Sequence, residues 1–226
     1  MMQQLLLDIM PLPLPTLENF QPGRNAELLH MLTGIVSGRE QDRFVYLWGN
    51  PGSGKSHLLQ ASAAAYTQSN RKAVYCCTQN GSEFMFDSSM DCIAIDDVDR
   101  LDAAGQIALF NLYNRLRDEG HAFLLLSGAV APVYLDLRQD LVTRLGWGLV
   151  FQVHELTEEE KIQAMKTHAA DRGFDIPQEI CLYLLRHGRR DLPSLMMTLD
   201  ALDRYSLAQQ RPVTIPLLRE LLQVAS

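Results

Sequence analysis

A chain of 226 residues with 47% apolar side chains can bury a full core, as one domain or two. Its 27 acidic against 20 basic residues give a formal charge of −7 and a pI near 5.3. That balance argues against a protein that lives on the nucleic-acid backbone, where a basic face is expected. The first fifteen residues stand apart. Residues 1–10 are mostly apolar, and Pro11, Pro13 and Pro15 forbid a helix and favour an extended tether. No cationic stretch opens the chain and Asp8 interrupts its apolar run, so a secretory signal is not expected and the cytoplasm is. The longest apolar stretch, residues 122–135, is broken by Ser127, Gly128 and Pro132 and is too short to span a bilayer.

A helix is predicted over residues 25–36, followed by an apolar strand over 43–48 and a helix from His57 to Tyr66. Further strands are read at 72–77, 92–97, 122–127 and 149–153. Between them lies a helix over 104–118, with Ile107, Leu109, Phe110, Leu112, Tyr113 and Leu116 as a broad apolar face. Near-continuous apolar strands alternating with helices imply a five-stranded parallel sheet covered on both faces. After residue 156 the strands stop. Thr157 to Glu160 opens a helix as a capping box, Gly173 is a plausible stop, and helices follow at 178–187, 191–208 and 215–224 with Thr214 as a cap. The organisation expected is therefore an arm (1–15), an α/β domain (16–156) and a small all-helical lid domain (157–226). Cys76, Cys77, Cys92 and Cys181 lack metal-ligand spacing and are read as reduced, buried, small apolar side chains.

Four motifs bear on chemistry. Gly49-Asn50-Pro51-Gly52-Ser53-Gly54-Lys55-Ser56 matches G-x-x-x-x-G-K-[ST] between a strand and a helix. Glycines let successive N–H groups turn toward the α- and β-phosphates, and the helix N-terminus adds its positive dipole end. Lys55 would neutralise the outer phosphates and the Ser56 hydroxyl would sit on Mg²⁺. Asp96-Asp97 closes an apolar strand at the sheet edge where ligands bind, with Asp96 holding Mg²⁺ through water and Asp97 orienting an attacking water. Arg144, just before Gly146-Trp147-Gly148, is either a surface Arg at a helix end or an arginine finger at a subunit junction. Arg189-Arg190 is either a solvated pair or a nucleotide sensor.

These motifs in this order make the chain similar to the AAA+ P-loop ATPases, and among them to the family of the bacterial initiator DnaA, over residues 16–224. Glu18-Asn19-Phe20 with Gly23-Arg24-Asn25 resembles that family's adenine-side turn, Thr143 to Gly148 its finger motif, and Arg190 its lid sensor 2. The short segment 78–90 and the end of the chain after the lid leave out the family's DNA-gripping helix pair and helix-turn-helix, so direct sequence-specific DNA binding is not expected. Residues 110–115 and 197–204 resemble the regulatory inactivator branch, Hda. So does an N-terminal peptide for the sliding clamp of DNA polymerase III, fitted here by Gln4, Leu5, Leu7 and Ile9.

The resemblance implies ADP or ATP held by residues 49–56, His57 and Arg190, with Ser56 and Asp96 on Mg²⁺ and Arg144 and Asp97 as the catalytic pair. It implies DnaA and the clamp as partners, no membrane, and leaves a homodimer open. Ala129 stands where the family has a polar sensor 1 residue, which implies weak hydrolysis of the chain's own nucleotide, although the acidic pair is complete. The function implied is negative regulation of replication initiation by promoting hydrolysis of DnaA-bound ATP. An independent ATPase or helicase loader, and a non-catalytic DnaA adaptor, are the alternatives.

Overall fold

The computed structural model describes residues 14–78, 89–188 and 191–224. The chain divides into two compact units, Leu14–Glu155 and the segment from Leu156 onward. The first holds helix α1 (Ala26–Val36), strand β1 (Phe44–Trp48), α2 (Lys55–Gln68), β2 (Ala73–Cys77), β3 (Cys92–Asp96), α3 (Ala103–Glu119), β4 (Phe123–Gly128), α4 (Gln139–Leu145) and β5 (Leu149–Gln152). The strands form one sheet in the order β2-β3-β4-β1-β5, and every pairing is parallel.

Side chains alternate across a strand, and here both sets are apolar, so both faces need a cover. Val45, Leu47, Cys92, Ala94, Phe123 and Leu125 pack with Leu28, Leu32 and Ile35 of α1 and Leu58, Leu59 and Tyr66 of α2. Tyr46, Ile93, Ile95, Leu124 and Leu126 pack with Leu109, Leu112 and Leu116 of α3 and with Leu141 and Leu145 of α4. The expected doubly covered parallel sheet is what the chain forms.

Two details differ from the sequence reading. Ile107 does not belong to the apolar face of α3, because it is 46% exposed. The buried stripe runs Leu109, Leu112, Tyr113, Leu116, at helical i, i+3, i+4, i+7 spacing, and two residues upstream a side chain points about 200° around the helix. Cys76 and Cys77 are half-buried rather than buried, since they lie on the edge strand β2, whereas Cys92 and Cys181 are buried; all four are free thiols.

The second unit is helical: α5 (Glu158–Asp171), α6 (Gln178–His187), α7 (Leu192–Gln209) and α8 (Ile215–Val224). Thr157 and Glu160 form a reciprocal capping box that opens α5. Gly173, at φ +84°, follows its end. Asp191 caps α7 by accepting from the Ser194 N–H at 3.0 Å, and Thr214 accepts from the Leu217 N–H at 3.4 Å at the start of α8. Met165, Ile180, Leu184, Leu199, Leu202, Leu217 and Leu218 form the unit's own core. Asp200 of α7 ties down α5, meeting His168 Nε2 at 2.7 Å and Arg172 Nε at 2.9 Å. Among the described residues no helix is long and apolar enough to cross a membrane.

Candidate nucleotide-binding site

The sheet order decides what meets at the C-terminal ends of the strands. β4 lies between β1, which feeds the P-loop, and β3, which ends in the acidic pair. Polar residues at the ends of β3 and β4 therefore face the same edge as residues 49–56.

The loop after β1 needs its glycines for space as much as for conformation. A Cβ on Gly49 would lie 2.4 Å from the carbonyl oxygen of Val153, whose own N–H donates to Trp48 O at 2.7 Å. Gly54 is left-handed at φ +101°, and a Cβ there would lie 2.7 Å from the Phe20 ring. The loop thus presses on β5 and on the N-terminal turn, and any side chain at either position would push them apart. Gly54 precedes α2, so the first-turn N–H groups of a fourteen-residue helix open toward the loop. Asn50, Pro51, Gly52 and Ser56 are exposed, while Ser53 is buried with an Oγ that has no hydrogen-bond partner among the described residues.

Lys55 opens α2 and curls back over the loop, donating from Nζ to Gly49 O at 2.7 Å and Asn50 O at 3.2 Å. Burial lowers its pKa, and the Asp96, Asp97 and Asp99 carboxylates oppose that shift. Glycine-shaped backbone, an unpaired buried hydroxyl, helix N–H groups and a half-buried ammonium form a donor set that fits a nucleotide's phosphates.

Asp96 is almost wholly buried and is held by two donors from neighbouring strands. Ser127 Oγ of β4 donates to Oδ1, and the Tyr75 hydroxyl of β2 donates to Oδ2 at 2.9 Å. Burial raises the Tyr75 pKa, aided by the Asp96 carboxylate itself, so the phenol stays a donor. Asp97 adopts a left-handed conformation at φ +58°, uncommon for a residue with a side chain. Its N–H donates to Ser127 Oγ at 3.1 Å, its carbonyl accepts from Thr78 Oγ1 at 2.9 Å, and its carboxylate lies 3.5 Å from Arg100 Nη1. The Ser127 hydroxyl therefore serves both acids at once. Asp99 accepts from the Ala129 N–H at 3.2 Å, so the loop after β4 is tethered although position 129 lacks a polar side chain.

Sequence reading missed Tyr75, Thr78, Asp99 and Ser127. Only the polar residue closing the apolar run 122–127 was a local signal. The N-terminal turn completes one wall of the site. Asn25 makes a paired contact with His154, donating to its carbonyl at 2.8 Å and accepting from its N–H at 2.7 Å. His57, in the first turn of α2, donates from Nε2 to Thr16 O at 2.9 Å and lies 5.5 Å from the Phe20 ring.

Burial pushes the His57 pKa below its ordinary 6.5, with the Thr16 hydrogen bond opposing. The neutral ring is the one that fits. Above pH 6.5 folded and unfolded states are both neutral, and stability is lost as pH falls from 6.5 toward the folded-state value. Thermal melts between about pH 8 and 5 should show a decline that His57→Gln reduces. An unchanged pH profile in that variant would refute the assignment.

Arg144 is not part of this cluster. It lies at the end of α4, four residues before Gly148, where a Cβ would sit 2.3 Å from the carbonyl of Phe44 at the start of β1. Its Nε donates to Asn114 Oδ1 at 3.1 Å. Two residues further along α3, Leu116 O accepts from Arg43, which precedes β1. Arg144 thus occupies the edge of the sheet where strands begin, and the P-loop the edge where they end. The five residues of β1 separate those edges by about 16 Å. Arg190, Gln4, Leu5, Leu7 and Ile9 lie outside the described residues.

The family model of the bacterial DnaA ATPase domain matches residues 14–152, more than half of the chain, and that of the Hda lid domain matches residues 158–222. The fold is similar to domain III of the replication initiation protein DnaA from Thermotoga maritima. The TM-score is 0.74 at 22% identity, over 95% of this chain and 98% of that one. AMPPCP-bound DnaA from Aquifex aeolicus aligns at TM-score 0.70 and 22% identity, over 84% of this chain and 65% of that one. The RuvB Holliday junction branch migration motor of Thermotoga maritima aligns at TM-score 0.63 and 15% identity, over 88% of this chain and 67% of that one. The nucleotide-binding sheet and the helical unit are thus each matched by a model from one lineage, and the chain belongs to the Hda/DnaA-like family of AAA+ replication proteins.

Proposed function

We propose that this protein is a negative regulator of replication initiation that binds ADP or ATP itself and, tethered to the DNA-loaded sliding clamp, supplies Arg144 to ATP bound by the initiator DnaA. The observation that carries the reading is the position of Arg144. A cation about 16 Å of sheet away from its own P-loop cannot serve the nucleotide held there, so its chemistry is directed at another subunit. An arginine finger acts by stabilising charge on the transferring phosphoryl group, and its fixed fork suits phosphate oxygens.

In this reading residues 49–57 and Arg190 hold the chain's own nucleotide, and Ser56 and Asp96 hold Mg²⁺. Asp97 is the acid positioned for a water. Its carboxylate faces Arg100, and no polar side chain stands at position 129, so own turnover is slow. This separates the reading from an independent ATPase or helicase loader, in which the isolated chain would hydrolyse ATP rapidly. The charge of −7 fits a protein that reaches DNA through the clamp rather than by its own contacts.

Reconstitution of ATP-loaded initiator, DNA-loaded clamp and this protein tests the proposal, with the initiator's bound ATP followed over time. Hydrolysis that needs all three components is the expected result. Hydrolysis unaffected by this protein would refute it.

Clamp docking is assigned to the arm. In this reading Gln4 would offer an amide to a pocket rim and Leu5, Leu7 and Ile9 would be apolar anchors, in a stretch whose Pro11, Pro13 and Pro15 favour an extended tether. Each anchor would be worth about 1.5–3 kcal/mol if fully buried, against the entropy of ordering the peptide, so a contact of micromolar class is expected. The double variant Gln4→Ala, Leu5→Ala should abolish clamp capture in a pull-down and clamp-dependent stimulation, with ADP affinity unchanged. Normal capture would assign the arm another role.

A further inference from the structure

Asp96 is the last residue of β3 and shares the sheet face of Cys92 and Ala94, the face that α2 covers. A carboxylate this deeply buried keeps its charge at a tolerable cost only when donors meet its oxygens. Ser127 Oγ supplies one donor, from the neighbouring strand one position beyond the Ile95–Leu126 pair. The other comes from the opposite side, out of the edge strand β2.

Tyr75 is in register with Ala94, two residues before Asp96 and on the same face. The side chain opposite it is a single methyl, and the length of the phenol carries the hydroxyl diagonally forward to Asp96 Oδ2 at 2.9 Å. The Gln60 side chain approaches the same hydroxyl from α2, one turn beyond Ser56. Tyr75 thus joins β2, the acid at the end of β3 and the helix that opens with Lys55 and Ser56. A phenylalanine would pack on the same core, so the acid explains the hydroxyl and burial does not. Donors on both oxygens fix the plane of a carboxylate that otherwise rotates broadly, and each oxygen keeps a lone pair for a metal or its water.

We infer that Tyr75 is a positioning residue for Asp96: with Ser127 it locks the carboxylate plane, so that the acid meets a nucleotide-bound Mg²⁺ in one orientation. The inference rests on the proposed role of Ser56 and Asp96 as the protein's ligands to that metal, and it adds the side chain that orients one of them.

The test reads binding and not turnover. Labelled ADP is titrated onto the full chain in EDTA and at a series of Mg²⁺ concentrations. Tyr75→Phe should raise the Mg²⁺ concentration at half effect about ten-fold, with ADP affinity in EDTA unchanged. A tyrosine that only packed would move neither quantity, and one that held up the sheet would lower ADP affinity under both conditions. Mn²⁺ in place of Mg²⁺, counted by electron paramagnetic resonance, gives the metal affinity directly and should fall by the same factor. Ser127→Ala removes the donor on the other oxygen and should act in the same direction; it carries the test where Tyr75→Phe does not fold.

An unchanged Mg²⁺ midpoint in folded Tyr75→Phe, or an equal fall of ADP affinity with and without the metal, would overturn the inference. An Asp96→Asn control separates the layers. If it removes the Mg²⁺ dependence while Tyr75→Phe keeps a normal midpoint, only the positioning role falls. If the Mg²⁺ dependence survives in Asp96→Asn, the acid is not a ligand and the inference falls with that reading.

Discussion

Arg144→Ala is expected to lower stimulated hydrolysis of the initiator's ATP by about 10³-fold or more while nucleotide and clamp binding stay intact. A finger makes its contact in the transition state, so its removal appears in the rate and not in ground-state affinity. Nothing at the chain's own P-loop should change, because β1 separates the two sites along its full length. Folding should change little too, since the side chain is half-exposed and its stacking on Trp147 is worth about 1 kcal/mol. Lysine should not rescue: a point charge on a flexible stem offers no Nε to Asn114 and no plane to the Trp147 ring. Single-turnover hydrolysis of initiator-bound ATP, measured with saturating clamp-bound protein, decides the matter. Full stimulation by the alanine variant would refute the in-trans role.

Lys55→Ala should weaken ADP or ATP binding by about ten- to a hundred-fold, the loss of one charge-assisted contact to phosphate. The structure adds a second reason. Lys55 Nζ bridges Gly49 O and Asn50 O, so its loss also releases the first turn of the loop. The ammonium is already poised electrostatically. Burial disfavours its charge, three carboxylates offset part of that effect, and an arriving phosphate would add to them. Equilibrium titration with labelled ADP is the measurement, and an unchanged affinity would remove the P-loop from the nucleotide site. Methionine at the same position would separate the two contributions, since it fills the space without donating.

Much of the nucleotide site was legible because its parts are contiguous. Residues 49–56 form one loop whose glycine spacing has a stereochemical reason, and a strand before it and a helix after it are local patterns. Asp96-Asp97 was legible for the same reason, as the polar end of an apolar strand. In the second unit Thr157 with Glu160 before α5 and Thr214 before α8 were local capping signals, and Thr157 with Glu160 forms the reciprocal pair its spacing predicts. Ile107 shows the limit of such reading: six apolar residues within ten positions do not say which of them lies on the buried stripe.

By itself, then, the sequence determined that a parallel sheet carries a phosphate loop and an acidic strand end, that a helical unit follows, and that an Arg stands before a Gly-Trp-Gly turn. Each of these depends on neighbours along the chain, within a turn of helix or the pleat of a strand. The tertiary structure alone decided the strand order, and with it that β4 lies between the loop and the acids, so that Ser127 bonds Asp96 and Asp97 from a distant part of the chain. It also decided that Arg144 stands at the opposite edge of the sheet from Lys55, held by Asn114 and Trp147. Strand pairing and helix packing are set by how whole apolar faces are buried together, and that long-range fit leaves no mark in any single stretch of residues.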